Sequence, residues 1–186
     1  ERAKQFRDTF LNLGVKAQVA YASKAFSTIA MVQLAEEEGL SLDVVSSGEL
    51  FTALKAGFPV EKIHFHGNNK SAEELEMAVV NKIGCVVVDN FLELSLLTSI
   101  CEKHDYNMPI LLRLTPGIEA HTHDYILTGQ EDSKFGFDLQ SGQAFEAMQL
   151  AENSPHVTLL GIHCHIGSQI FETTGFKMAA RSEEHT

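Results

Sequence analysis

Apolar runs of strand length alternate with amphipathic stretches of helix length along nearly the whole chain. That order restricts the fold to a parallel sheet whose neighbouring strands are joined by crossover helices. The spacing predicts strands over 17–22, 40–45, 62–66, 84–88, 110–114 and 157–165. Helices are predicted over 1–13, 28–38, 48–56, 91–103 and 143–153, with another opening at Ser71. The punctuation agrees with this order. Gly39 and Gly57 sit where helices stop, and Ser71 followed by Glu73 and Glu74 caps a helix and places carboxylates in its first turn. A long polar loop is expected between 114 and 143.

The fold class expected is therefore α/β, a partial (β/α)8 barrel with about six of its eight strands. The 186 residues fall short of the roughly 250 that a complete barrel of this kind usually needs. No low-complexity linker divides the chain, so 1–180 reads as one incomplete barrel domain. Both ends look cut. Residues 181–186 (RSEEHT) are expected to be a non-native tail and carry no functional weight here.

The formal charge of −11 disfavours nucleic acid, whose binding rests on clustered Lys and Arg. The three cysteines, Cys85, Cys101 and Cys164, show no CxxC spacing. A reduced, cytoplasmic protein is the simplest reading. No apolar run approaches the roughly 18 residues of a membrane span, so no membrane partner is expected.

In a parallel α/β fold, chemistry collects at the carboxyl ends of the strands. Those ends carry Ser23-Lys24, Ser46-Ser47-Gly48-Glu49, His66 to Lys70, Asp89-Asn90, Arg113 to Gly117, and His163 to Gln169. Lys24 ends its strand among them, where shielding by Tyr21, Phe26 and a facing His165 would favour the neutral amine that Schiff-base chemistry needs. A solvated lysine that merely ends a strand is the plainer alternative. His163 and His165 share a strand face, as do His64 and His66. Each pair could ligate a metal, stack on a cofactor ring or, for His64, simply pack. Gly167-Ser168 offers backbone and a hydroxyl to a phosphate. Arg113, inside an apolar run, needs an anion, and Asp43 or Glu49 could supply it. Glu36-Glu37-Glu38 reads as a solvated helix face.

Five strings on successive strand ends carry a resemblance: YASKA, DVVSSGEL, HFHGNNKS, the segment from Arg113 through THDYILTGQEDSKFGF, and GIHCHIGSQIFE. Over 16–171 the chain resembles the barrel domain of the diaminopimelate decarboxylase family, within the alanine-racemase-like group of pyridoxal 5'-phosphate (PLP) enzymes. The resemblance implies PLP as cofactor, an amino acid as substrate and a homodimer. It also implies that Lys24 carries the cofactor covalently, that His165 stacks on its ring and that Ser168 lies near its phosphate. Asp43, Glu49 and Arg113 would stand on the cofactor side, and 131–136 would belong to an active-site loop. The reaction implied is decarboxylation of meso-diaminopimelate to L-lysine and CO2.

The family's later glycine-rich phosphate loop, the acidic partner of its pyridine nitrogen and its terminal β-domain have no counterpart in this chain. The chain alone is thus expected to be inactive. Rival readings are an ornithine, arginine or carboxynorspermidine decarboxylase, a metal-dependent hydrolase on a similar barrel, and a PLP-binding relative without catalysis.

Overall fold

A computed structural model of the chain describes residues 1–115, 134–167 and 173–183. A helix, α1 (Arg2–Asn12), leads to β1 (Ala20–Ala22), and then strands and helices alternate: α2 (Ile29–Glu37), β2 (Ser41–Val44), α3 (Ser47–Ala56), β3 (Ile63–Phe65), α4 (Ala72–Val80), β4 (Cys85–Val88), α5 (Phe91–Lys103) and β5 (Met108–Thr115). A two-residue strand, β6 (Phe137–Asp138), precedes α6 (Gln143–Glu152), β7 (Val157–Cys164) and α7 (Thr174–Glu183). The last helix runs across residue 181, where the tail was expected to begin.

The strands lie side by side in the order β1-β2-β3-β4-β5, all parallel, with both β6 and β7 pairing parallel to β5. The sheet described thus has seven strands, not six. The added one lies inside what the sequence suggested was loop. Two residues are too few to show an alternating pattern, and Leu114 and Thr115 of β5 recruit them by pairing with Phe137 and Asp138. β1 is also shorter than expected, three residues instead of six.

Helix starts follow local chemistry. Thr28, Ser46 and Asn90 each accept the backbone N–H three residues on, and Ser71 with Glu74 forms a reciprocal capping box. Gly57 ends α3 at φ +77°, a left-handed conformation that glycine adopts without steric cost.

Alternation along each strand gives the sheet two unlike faces. Leu42, Val44, Ile63, Phe65, Val86, Val88, Ile110, Leu112 and Leu114 are at most 1% exposed and face the helices. Leu50 and Ala53 of α3, Leu75, Ala78 and Val79 of α4, and Leu94 and Leu97 of α5 meet them, at the three- and four-residue spacings of one helix face. Burying each such leucine contributes about 2 kcal/mol. The residues between, in register, are Asp43 beside His64, His64 beside Cys85, Val87 beside Leu111, and Arg113 beside His163. The apolar face holds the sheet to its helices, and the other face carries the titratable groups.

One irregularity interrupts this alternation. Ile110 pairs with Leu159 but Leu111 pairs with Gly161, so Leu160 is an extra residue, bulged out of β7 and 59% exposed.

Candidate active site

Lys24 lies in a short 3-10 turn, Ser23–Ala25, immediately after β1. The turn is fastened to the end of β2. The buried Ser23 hydroxyl is 2.8 Å from the Asp43 carbonyl and 2.6 Å from Glu49 Oε2, two acceptors that share its one proton. Glu49 Oε2 also accepts the Val45 N–H at 2.9 Å. Glu49 therefore anchors the loop that presents Lys24.

The lysine itself is exposed, which corrects the expected shielding. The chain turns straight after Ala22, and Tyr21 donates its hydroxyl to the Phe26 carbonyl at 3.0 Å, leaving the Phe26 side chain 60% exposed.

Lys24 borders a cleft of about 530 Å³ on the polar side of the sheet, together with Ala22, Asp43, Val45, His66, Gly67, Arg113, Phe135, His163 and His165. Of the six residues chosen from the sequence, Lys24, Asp43, Arg113 and His165 line this cleft. Glu49 stands behind its wall, and Ser168 lies outside the described residues, as does 131–133 of the expected loop. His66, His163, Phe135 and Asp89 were not chosen. The signal for the two histidines was their same-face spacing from His64 and His165, whereas a phenylalanine in a polar stretch carries no comparable mark.

Asp43 Oδ1 is 3.2 Å from His64 Nδ1 and 3.3 Å from His66 Nε2. Burial pushes the Asp43 carboxyl upward, but the two imidazoles outweigh it and hold the group below the usual carboxylate range. An ionised carboxylate only accepts, so both facing ring nitrogens carry hydrogens. His64 thus faces Asp43 as a hydrogen-bond partner and does not simply pack. His66 in turn meets His163 edge to face, with ring centroids 5.1 Å apart.

Burial, and then the charge of His66, Arg113 and His165, pulls His163 down to about 3. Burial, then the charges of Arg113 and Lys24, also lowers His165. Both rings are neutral at pH 7.

Arg113 pairs with neither Asp43 nor Glu49. Its Nη1 is 3.4 Å from Asp89 Oδ1, because β4 and not β2 is its neighbour in the sheet, and its guanidinium lies 4.5 Å from the centre of the Phe135 ring. Among the described residues no group of three or more His, Cys, Asp or Glu could hold a metal ion, and no helix is long and apolar enough to cross a membrane.

This site has a recognisable context. The family model for the pyridoxal binding domain of pyridoxal-dependent decarboxylases matches residues 1–185. The chain belongs to this family.

Within it, the chain is 74% identical over 181 residues to the diaminopimelate decarboxylase of Bacillus methanolicus, covering 97% of this chain and 42% of that protein. It is 66% identical over 180 residues to the diaminopimelate decarboxylase of Bacillus subtilis (strain 168), covering 97% and 41%. A crystal structure of diaminopimelate decarboxylase from m. jannaschii in co-complex with L-lysine superposes with a TM-score of 0.87 at 34% identity, covering 99% of this chain and 43% of that one. The chain thus spans about two fifths of the length of these relatives.

The cleft suits the cofactor of a pyridoxal-dependent decarboxylase. It offers a primary amine for an aldehyde, neutral imidazoles for a flat aromatic ring and a guanidinium for anionic groups. It also holds a buried ring nitrogen, His163 Nδ1, that has no hydrogen-bond partner among the described residues.

Proposed function

We propose that this chain is the PLP-carrying barrel portion of an enzyme that decarboxylates meso-diaminopimelate to L-lysine and CO2, working as a homodimer. The observation that carries the reading is the position of Lys24, an exposed amine on the border of a cleft lined by His66, His163, His165 and Arg113. Likeness to diaminopimelate decarboxylases over 97% of the chain supports the substrate.

Lys24 is the amine that attaches the cofactor. The neutral His165 ring would lie against the cofactor, and Ser168 would support its phosphate. Asp43 fixes the Nε2 edge of His66, Glu49 holds the Lys24 turn, and Arg113 provides positive charge to the cofactor side. When bound, PLP supplies an electron sink for the pair left behind by departing CO2. Burial of His163 and His165 keeps both imidazoles uncharged, so they present neutral rings beside the Arg113 cation.

The test is CO2 release by the full-length protein from meso-diaminopimelate and from ornithine. A higher kcat/KM for diaminopimelate is expected. A higher value for ornithine overturns the substrate, and a protein that retains no PLP overturns the reading altogether.

A further inference from the structure

One carboxylate holds the cleft wall between β4 and β5. Asp89, directly after β4, is 2% exposed, and its Oδ2 accepts the Gly136 N–H at 3.0 Å while its Oδ1 faces Arg113. Gly136 follows Phe135, whose ring underlies the Arg113 guanidinium and lines the cleft. The segment is pressed close to β5: Gly136 has φ +75°, and a Cβ there would come within 2.8 Å of the Arg113 carbonyl. The Thr115 hydroxyl, also on β5, donates to the Phe135 carbonyl. Asp89 thus touches both the cation and the backbone of the ring on which that cation lies.

Burial pushes the Asp89 carboxyl up, and the Gly136 bond and the charge of Arg113 oppose that shift. The only hydrogen bond its side chain makes among the described residues is the one from Gly136, so the Arg113 contact at 3.4 Å is an ion pair without a tight hydrogen bond. A buried carboxylate in such surroundings is worth most as a fixed charge of defined direction.

We propose that Asp89 is a positioning residue that fixes Arg113 and Phe135 as one unit and so sets the wall against which PLP rests. The proposal builds on the reading that the cleft holds PLP. Asp89 does not touch the cofactor itself and acts through Arg113.

The experiment is equilibrium dialysis of PLP with the full-length apoprotein and a double-mutant cycle of Asp89→Asn and Arg113→Gln. Asn can still accept from Gly136 but carries no charge for Arg113. Each single change should weaken PLP binding about tenfold, as loss of a charge-assisted contact does, and the double mutant should be no worse than Arg113→Gln alone. Glu93→Gln disturbs the neighbouring buried ion pair without touching Arg113 or Gly136, and it should leave the PLP Kd within about twofold of wild type at a comparable loss of stability.

Fully additive losses, near a hundredfold, or an unchanged Kd for Asp89→Asn would overturn the proposal. So would a Glu93→Gln protein that behaves like Asp89→Asn. If Asp89→Asn does not fold, Gly136→Ala, which displaces the Phe135 segment and leaves the charge pair, takes its place in the cycle under the same criteria. A wild-type protein that fails to retain PLP overturns the proposed function, whereas wild-type retention with additive variants overturns this inference alone.

Discussion

The Nζ of Lys70 lies 2.6 Å from Oε1 of Glu93, with the two side chains 1% and 3% exposed. The ammonium also donates to the carbonyls of Gly67 at 2.7 Å and Val87 at 2.8 Å, so its three hydrogens have three acceptors. Glu93 Oε2 accepts the Asp89 N–H, which ties the pair to the end of β4. Lys70, which stands among the polar residues after β3, is a structural cation.

Removing one member should leave the other charged and buried. Lys70→Met is expected to cost about 3–5 kcal/mol, and Lys70→Met with Glu93→Met should regain most of that loss. Urea unfolding of the full-length protein measures both. A double mutant no more stable than the single one would mean that the pair is not what holds this region.

Because the hydrogens of Lys70 are committed, Lys24 is the amine that should take the cofactor. Borohydride reduction of the holoprotein followed by peptide mass analysis should find the pyridoxyl mass on the Lys24 peptide. Lys24→Arg keeps the charge but cannot form the covalent link, and turnover should fall on the order of 10³-fold or more. Lys24→Ala should lose the same activity and regain part of it with added small amines. The pyridoxyl mass on Lys70 or Lys134 would show the cofactor to be placed wrongly.

His163 predicts an acid-sensitive fold. An unfolded histidine gains its proton near pH 6.5, but buried His163 resists until about 3, so protons favour the unfolded chain across that interval. Its contribution is complete above 6.5 and is lost as the pH falls toward 3. The loss between pH 7 and pH 5 should reach up to about 2 kcal/mol. Asp89 and Glu93, raised by burial, act in the opposite sense, because the folded state takes up their protons first. Replacing the ring with His163→Phe should flatten the stability profile between pH 7 and pH 5. If denaturant midpoints of the variant and the wild type fall in parallel, some other group carries the acid response.

Much of the architecture was legible because its signals are local. Ser71 with Glu74 marks a helix start within four residues, and Gly57 marks a stop within one. The same holds for Lys24 at the close of an apolar run. The site's internal wiring was less legible, since it depends on which residues meet across strands. Arg113 finds Asp89, 24 positions earlier, only because β4 and β5 are neighbours. The Lys70 site is equally non-local, built from a backbone turn, a strand carbonyl and a helix carboxylate. Phe135 belongs to a stretch whose two-residue strand exists by pairing with β5, with no pattern of its own.

The single bulged residue in β7 decides which side of the sheet the histidines inhabit. Val157, Leu159 and Ile162 pair with Met108, Ile110 and Leu112, all of which face the helices, so the apolar spacing runs two residues and then three. The extra step is Leu160. Were the bulge ironed out, with Leu160 paired opposite Leu111, His163 would stand opposite Leu114, among the helix-facing side chains, and Ile162 would stand beside Arg113. The address of the imidazole is therefore a matter of counting: because one residue upstream, with no chemistry of its own, is left out of the pairing, the histidine stands in the cleft and not in an oily layer.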